Sequence, residues 1–222
     1  MFTSNETIFY GLIALNVAAS IAAWQLPNLM DKWLFEVNKI LGQNQYYRLI
    51  SSGFIHADAA HLAFNMFTLF FFAPVVVQTF GSVWFLIIYA LSLVGGNLLV
   101  LYFKRNDPYY SALGASGAVN GILFASICID PFMGIYLMFI PIAIPAWLFA
   151  IAYTLYSMYG MKKQQDNIGH EAHLGGAMVG SIAAVWLYPQ AFRDNKWVLM
   201  AIFGLFIAFF IYEFIKNNKT TK

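Results

Sequence analysis

HLAFNMFTLFFFAPVVVQTFGSVWFLIIYALSLVGGNLLVLYF, residues 61–103, contains no Asp, Glu, Lys or Arg. A straight helix of that length would run about 65 Å, twice the roughly 30 Å hydrocarbon core of a bilayer. The stretch therefore reads as two membrane spans, 61–80 and 82–103, divided at Gly81. The rest of the chain agrees. Of its 222 residues, 61% are hydrophobic and 10% charged, against about 45–50% and about 25% in soluble domains. So few polar groups cannot cover that much apolar surface in water. The net charge of +2 is too small to point to nucleic acid.

Five further apolar windows have spanning length: 7–27, 112–129, 133–158, 170–188 and 197–215. Every Lys and Arg lies outside the seven windows, and the only acids within them are Glu171 and Glu213, near window ends. In lipid each span must satisfy its own backbone groups, so the expected fold is all-α, a polytopic membrane helical bundle forming a single domain over 1–222. The first window lacks a basic flank and is long for a signal sequence. It reads as a retained span. The single cysteine, Cys128, rules out an internal disulfide. Residues 28–60 make a long connection in which Trp33, Phe35, Tyr46, Tyr47 and Phe54 mix with charges, which suits the headgroup region. Residues 189–196 read as a polar turn before the last span.

Polar residues inside spans are functional candidates. Gly114-Ala115-Ser116-Gly117 opens the fourth span, where free N–H groups and the helix dipole favour an oxyanion beside a hydroxyl. Ala172-His173-Leu174-Gly175-Gly176 opens the sixth. Alone, each has a plain structural reading: a serine in a small-residue packing motif, and a histidine at a membrane interface. Their spacing joins them. Gly117, Gly121 and Ala125 recur every four residues, as do Ala172, Gly176, Gly180 and Ala184, and such ridges let two helices approach closely in lipid. The two helices run in the same direction, so Ser116 and His173 share a membrane face. A hydroxyl beside an imidazole is the minimum for an activated serine. His61 and Asn65, one turn apart at the start of the second span, add donors at the same depth. Glu171 sits two positions from His173 on roughly the opposite helix face, so a dyad is expected rather than a triad. The spacings of His56, His61, His170 and His173 match no usual zinc pattern. No metal or cofactor is expected.

These residues resemble the rhomboid family of intramembrane serine proteases over roughly 40–188. The resemblance rests on Tyr47-Arg48, on His56 with His61-x-x-x-Asn65, on Gly114-Ala115-Ser116-Gly117, and on Ala172-His173-x-x-Gly176-x-x-x-Gly180. It implies a six-helix core, about 7–188, plus one C-terminal helix, about 197–215. It implies Ser116 as nucleophile, His173 as general base and then acid, and an oxyanion and substrate site of His61, Asn65, Gly114 and the Ser116 N–H. Arg48, His56, Gly117, Asn120, Gly176 and Gly180 would support these. Tyr47 stands where the family usually has Trp. Asn120 stands where some bacterial members carry a tyrosine that stacks on the catalytic histidine, and it is expected to bond or pack near His173.

The implied substrates are single-pass membrane proteins, cut in or near their spans and commonly after a small residue, with lipid as the other partner. Pro141 and Pro145 would kink the fifth span, which we expect to act as a lateral gate. The expected compartment is a bacterial inner or plasma membrane. The resemblance implies a cytoplasmic N-terminus, whereas ten basic residues on the outer side against two inside favour the reverse orientation. The competing readings are a proteolytically inactive rhomboid-like protein that binds membrane clients, and a small transporter. The transporter reading predicts internal repeats or paired broken helices, which the sequence lacks.

Overall fold

A computed structural model of the chain describes residues 7–136, 142–163 and 168–220. In chain order its elements are α1 (Thr7–Gln25), α2 (Pro27–Trp33), β1 (Phe35–Glu36), α3 (Arg48–Ser51), α4 (Ala59–Lys104), β2 (Ser111–Ala112) and α5 (Ser116–Ile129). There follow β3 (Gly134–Tyr136), β4 (Ala143–Pro145), α6 (Ala146–Lys163), α7 (His170–Leu187) and α8 (Pro189–Thr220). The architecture is an all-α membrane bundle.

α4 contains both spans read from residues 61–103. It breaks at Gly81, whose φ of 80° and ψ of 169° lie where glycine alone is at ease. The two ends of α4, at His61 and Lys104, line one cavity, so the chain reverses at the break. α4, α5 and α7 pack most extensively on one another and form the centre. By length and composition α1, α4 and Pro189–Glu213 of α8 can each cross a membrane, while α5 is a shorter apolar helix. α5 is the most enclosed of these helices, with only Ser116 and Ile129 not buried. Its composition serves close packing rather than contact with lipid.

The glycines explain that packing. A Cβ at Gly176 or Gly180 would collide with the Gly117 or Gly121 backbone respectively. One at Gly121 would meet Ser92 and, at 3.1 Å, the Gly176 carbonyl. α4 joins through a third set: a Cβ on Gly96 would lie 2.6 Å from Ala172 O, and one on Gly175 would lie 2.9 Å from Gly96 Cα. Polar side chains add cross-ties at depth. The Ser126 hydroxyl donates to Phe72 O at 3.0 Å, and the Asn97 amide to Leu49 O at 2.8 Å.

Four sequence expectations change. The fourth span begins at Ser116 rather than 112, because Ser111–Ala112 pairs antiparallel with Phe35–Glu36. The fifth span begins at Ala146 rather than 133, because Gly134–Tyr136 and Ala143–Pro145 form a hairpin. Pro145 thus ends a strand, where a missing N–H costs no helical bond. The kink expected from it is absent, and Pro141 lies outside the described residues. Residues 189–196 are not a turn. α8 starts at Pro189, which lacks the N–H that the first turn would leave unpaired anyway, and breaks only at Asn195. The connection 28–60 is folded: α2, a π-helical turn (Asn38–Gly42), α3 and a 3-10 turn (Ser52–Phe54) run through it.

Candidate active site

Ser116 is the first residue of α5. The turn before it is fixed by two hydrogen bonds: Gly114 N–H donates to Ser52 O at 2.9 Å, and Ala115 N–H to His56 Nε2 at 3.3 Å. Gly114 has φ of 119°, and a Cβ there would stand 2.6 Å from His61 Cε1 and 2.8 Å from Nε2. Only glycine lets the His61 ring lie over this backbone, two residues from Ser116. His61 is held in turn by Asp58, whose carboxylate caps α4 by accepting from His61 N–H at 2.8 Å. Asn65 donates one amide hydrogen to His61 O at 2.9 Å and keeps a second.

His56 is fully buried. Since its Nε2 accepts from Ala115, its Nδ1 carries the hydrogen and donates to Ser20 Oγ at 2.9 Å, and Ser20 donates to Phe54 O at 3.2 Å. α1 is thereby linked to the turn before Ser116. Burial, together with the charge His61 would carry, pushes the His56 pKa down to about 4 against the opposing pull of Asp58.

Arg48 is buried and forks into the first loop. Nη1 donates to Asp31 O at 2.7 Å and Leu34 O at 2.6 Å, and Nε donates to Gln45 Oε1 at 2.7 Å. The same loop supplies β1, whose partner β2 leads directly to Gly114.

His173 lies in the first turn of α7. A Cβ on Gly117, the neighbour of Ser116, would sit 3.2 Å from the carbonyl of Ala172, the neighbour of His173. Ser116 and His173 thus flank a backbone contact between parallel helix starts. Both line a cavity of about 1610 Å³ with His61, Asn65, Asn120 and Tyr153. The Tyr153 ring of α6 lies against His173, with centroids 6.3 Å apart and planes at 20°, and its hydroxyl is 2.9 Å from Nδ1. Asn120 donates to Ser116 O at 2.8 Å. Glu171 meets Lys104 of α4 at 3.0 Å, with the Tyr110 ring 5.2 Å from that ammonium. A paired carboxylate one residue from Ala172 binds α7 to α4.

The order and spacing of these residues decide the family, since residues 43–190 match the Rhomboid domain. The chain belongs to the rhomboid family. This rhomboid is 29% identical over 208 residues to RHOMBOID-like protein 12, mitochondrial, of Arabidopsis thaliana, covering 86% of this chain and 61% of that one. It is 30% identical over 201 residues to Rhomboid protein 1, mitochondrial, of Saccharomyces cerevisiae, covering 87% and 57%. With Rhomboid protease AarA of Providencia stuartii it shares 26% over 242 residues, covering 94% and 83%. The chain thus spans about three-fifths of the two mitochondrial relatives. Rhomboids with mitochondrial and bacterial names both match, so the relatives do not single out the expected bacterial membrane.

The rhomboid motifs lead to Ser116, His173, His61, Asn65 and Gly114, and these five line that cavity together with Asn120, which departs from the family pattern. Sequence reasoning missed Tyr153, the Gly95-Gly96 face of α4 and the Lys104–Glu171 pair. The doublet Gly95-Gly96 was the one available signal, as a third small-residue face. Nothing in the sequence distinguishes Tyr153 from the other rings of α6.

Proposed function

We propose that this rhomboid is an intramembrane serine endopeptidase that hydrolyses peptide bonds in or near the spans of single-pass membrane proteins. The observation that carries this is the glycine-lined contact between α5 and α7, which sets Ser116 and His173 on one cavity. Neutral His173 takes the hydroxyl proton as Ser116 Oγ attacks the peptide carbonyl. The oxyanion is met by the Ser116 N–H at the start of α5, by His61 over Gly114, and by the free amide hydrogen of Asn65. His173 then protonates the departing amine, and water attacks the acyl ester by the same route. Water reaches this depth through the cavity, whose polar rim includes Asp58, Lys104 and Asp107. The substrate enters from the lipid between Phe64, Phe67 and Phe71 of α4 and Phe149 and Tyr153 of α6, all on the cavity wall. His56 and Arg48 hold the turn and the loop around Ser116. The reaction needs no cofactor.

The test is purified protein in detergent or liposomes with a model single-span substrate, comparing wild type with Ser116→Ala and His173→Ala. Each variant should lose about a thousandfold or more in turnover. Cleavage by either variant at the wild-type rate overturns the proposal and favours a client-binding rhomboid.

A further inference from the structure

An imidazole that takes a proton at Nε2 must carry its own hydrogen on Nδ1, and what Nδ1 faces decides that tautomer. The side chain at His173 Nδ1 is Tyr153, with its hydroxyl oxygen 2.9 Å away. The ring lies nearly parallel to the imidazole at 20°. It is backed on its own helix by Phe149, at 5.6 Å and 18°, and from α5 by Phe124, at 6.1 Å. Asn120 of α5 lines the same cavity and donates to Ser116 O at 2.8 Å. Glu171, the nearest acid in sequence, is bound to Lys104.

α6 is seated on α7 at this end. A Cβ at Gly160 would strike the His170 ring, and the Tyr156 ring meets His170 edge-on at 5.3 Å. The placement of Tyr153 is thus a property of how α6 rests on α7.

We propose that Tyr153 is the positioning residue of the dyad: its oxygen accepts the Nδ1–H of His173, its ring fixes the plane of the imidazole, and α6 thereby aligns the base only while seated on α7. The proposal rests on the reading of Ser116 and His173 as nucleophile and base. A phenol oxygen can accept this hydrogen while its own proton points elsewhere. It stabilises the imidazolium less than a carboxylate does, so its contribution is orientation and tautomer.

Wild type, Tyr153→Phe, Tyr153→Ala and Ser116→Ala are purified and their melting temperatures compared. kcat and KM are measured with the single-span substrate, and nitrogen NMR of histidine-labelled protein reads the His173 tautomer at neutral pH. Tyr153→Phe keeps the ring and loses the acceptor. Its kcat should fall about tenfold, the weight of one hydrogen bond, with KM and melting temperature little changed, and Tyr153→Ala should fall further. In wild type His173 should carry its hydrogen on Nδ1, and in Tyr153→Phe the two tautomers should mix. Wild-type kcat and an unchanged His173 spectrum in Tyr153→Phe overturn the proposal. Cleavage by Ser116→Ala overturns the dyad itself, and the tautomer spectrum still judges the Tyr153–His173 bond separately.

Discussion

At the scale of single residues, the proposed chemistry depends on neutral imidazoles, and His56 carries a pH dependence of its own. Its pKa falls from 6.5 to about 4 in the fold, so between those values the unfolded chain binds more protons than the folded one. Stability is then fully present above pH 6.5 and is lost as the pH drops toward 4, by on the order of 3 kcal/mol. Protonated Nε2 would also present a hydrogen to the Ala115 N–H, which is itself a donor, and loosen the turn before Ser116. The melting temperature of wild type should fall across that window. His56→Gln, which keeps a neutral acceptor, should remove this part of the fall, and an equal fall in both proteins would sink the assignment. Ser116, His173, His61 and Asn65 were legible in the sequence because each sits in a short motif at the start of an apolar window. Tyr153 was not. α6 carries Trp147, Phe149, Tyr153, Tyr156 and Tyr159, spread so that apolar periodicity does not tell its inward face from its outward one.

Between elements, small residues replace the hydrophobic effect, which cannot drive one helix against another in lipid. The four-residue ridges on α5 and α7 predicted their contact from spacing alone, and the Gly117–Ala172, Gly176–Gly117 and Gly180–Gly121 approaches follow that spacing. The start of α6 was not legible from hydropathy. Residues 133–136 and 142–145 are as apolar as a span, and only their β-branched residues with Gly134 and Pro145 hint at strands. Gly180→Ala puts a methyl group into the Gly121 backbone, which no side-chain rotation relieves. It should lower stability by about 1–3 kcal/mol and, by prising α7 from α5, reduce turnover more than the loss of folded protein accounts for. Gly204→Ala in α8 is the matched control, because beyond its own stretch of helix no heavy atom of the described residues lies within 4 Å of its Cβ position. Thermal melts and turnover on the three proteins decide it, and equal behaviour of the two variants would refute close packing as the determinant.

Taken as a whole, the molecule divides into a locked centre and a less constrained side. α4, α5 and α7 are tied by glycine contacts, by Ser126 to Phe72 and by Lys104 to Glu171. α6 rests mainly on α7 and α8 and faces α4 across the cavity, with Phe64, Phe67 and Phe71 exposed on the α4 side. Because Pro145 ends β4 and precedes α6, a gate made of α6 would work by displacement of the helix rather than by a kink at that proline. Such displacement would have a consequence in this fold: α6 carries Tyr153, so on the proposed reading the helix that admits substrate would also hold the base, and it would have to return before His173 is aligned. Tethering α6 to α4 separates the two roles. Phe71→Cys with Phe149→Cys, joined by a bifunctional thiol reagent, should abolish cleavage of a single-span substrate. Labelling of Ser116 by a small fluorophosphonate, which needs an aligned His173 but no gap between helices, should persist, and Cys128 is buried away from the reagent. Unreacted double variant supplies the reference rate for both readouts. Unchanged membrane-substrate cleavage after tethering would rule out entry between α4 and α6. Loss of labelling together with cleavage would mean that the tether had distorted the dyad, and that α6 aligns His173 only from a seat the tether does not preserve.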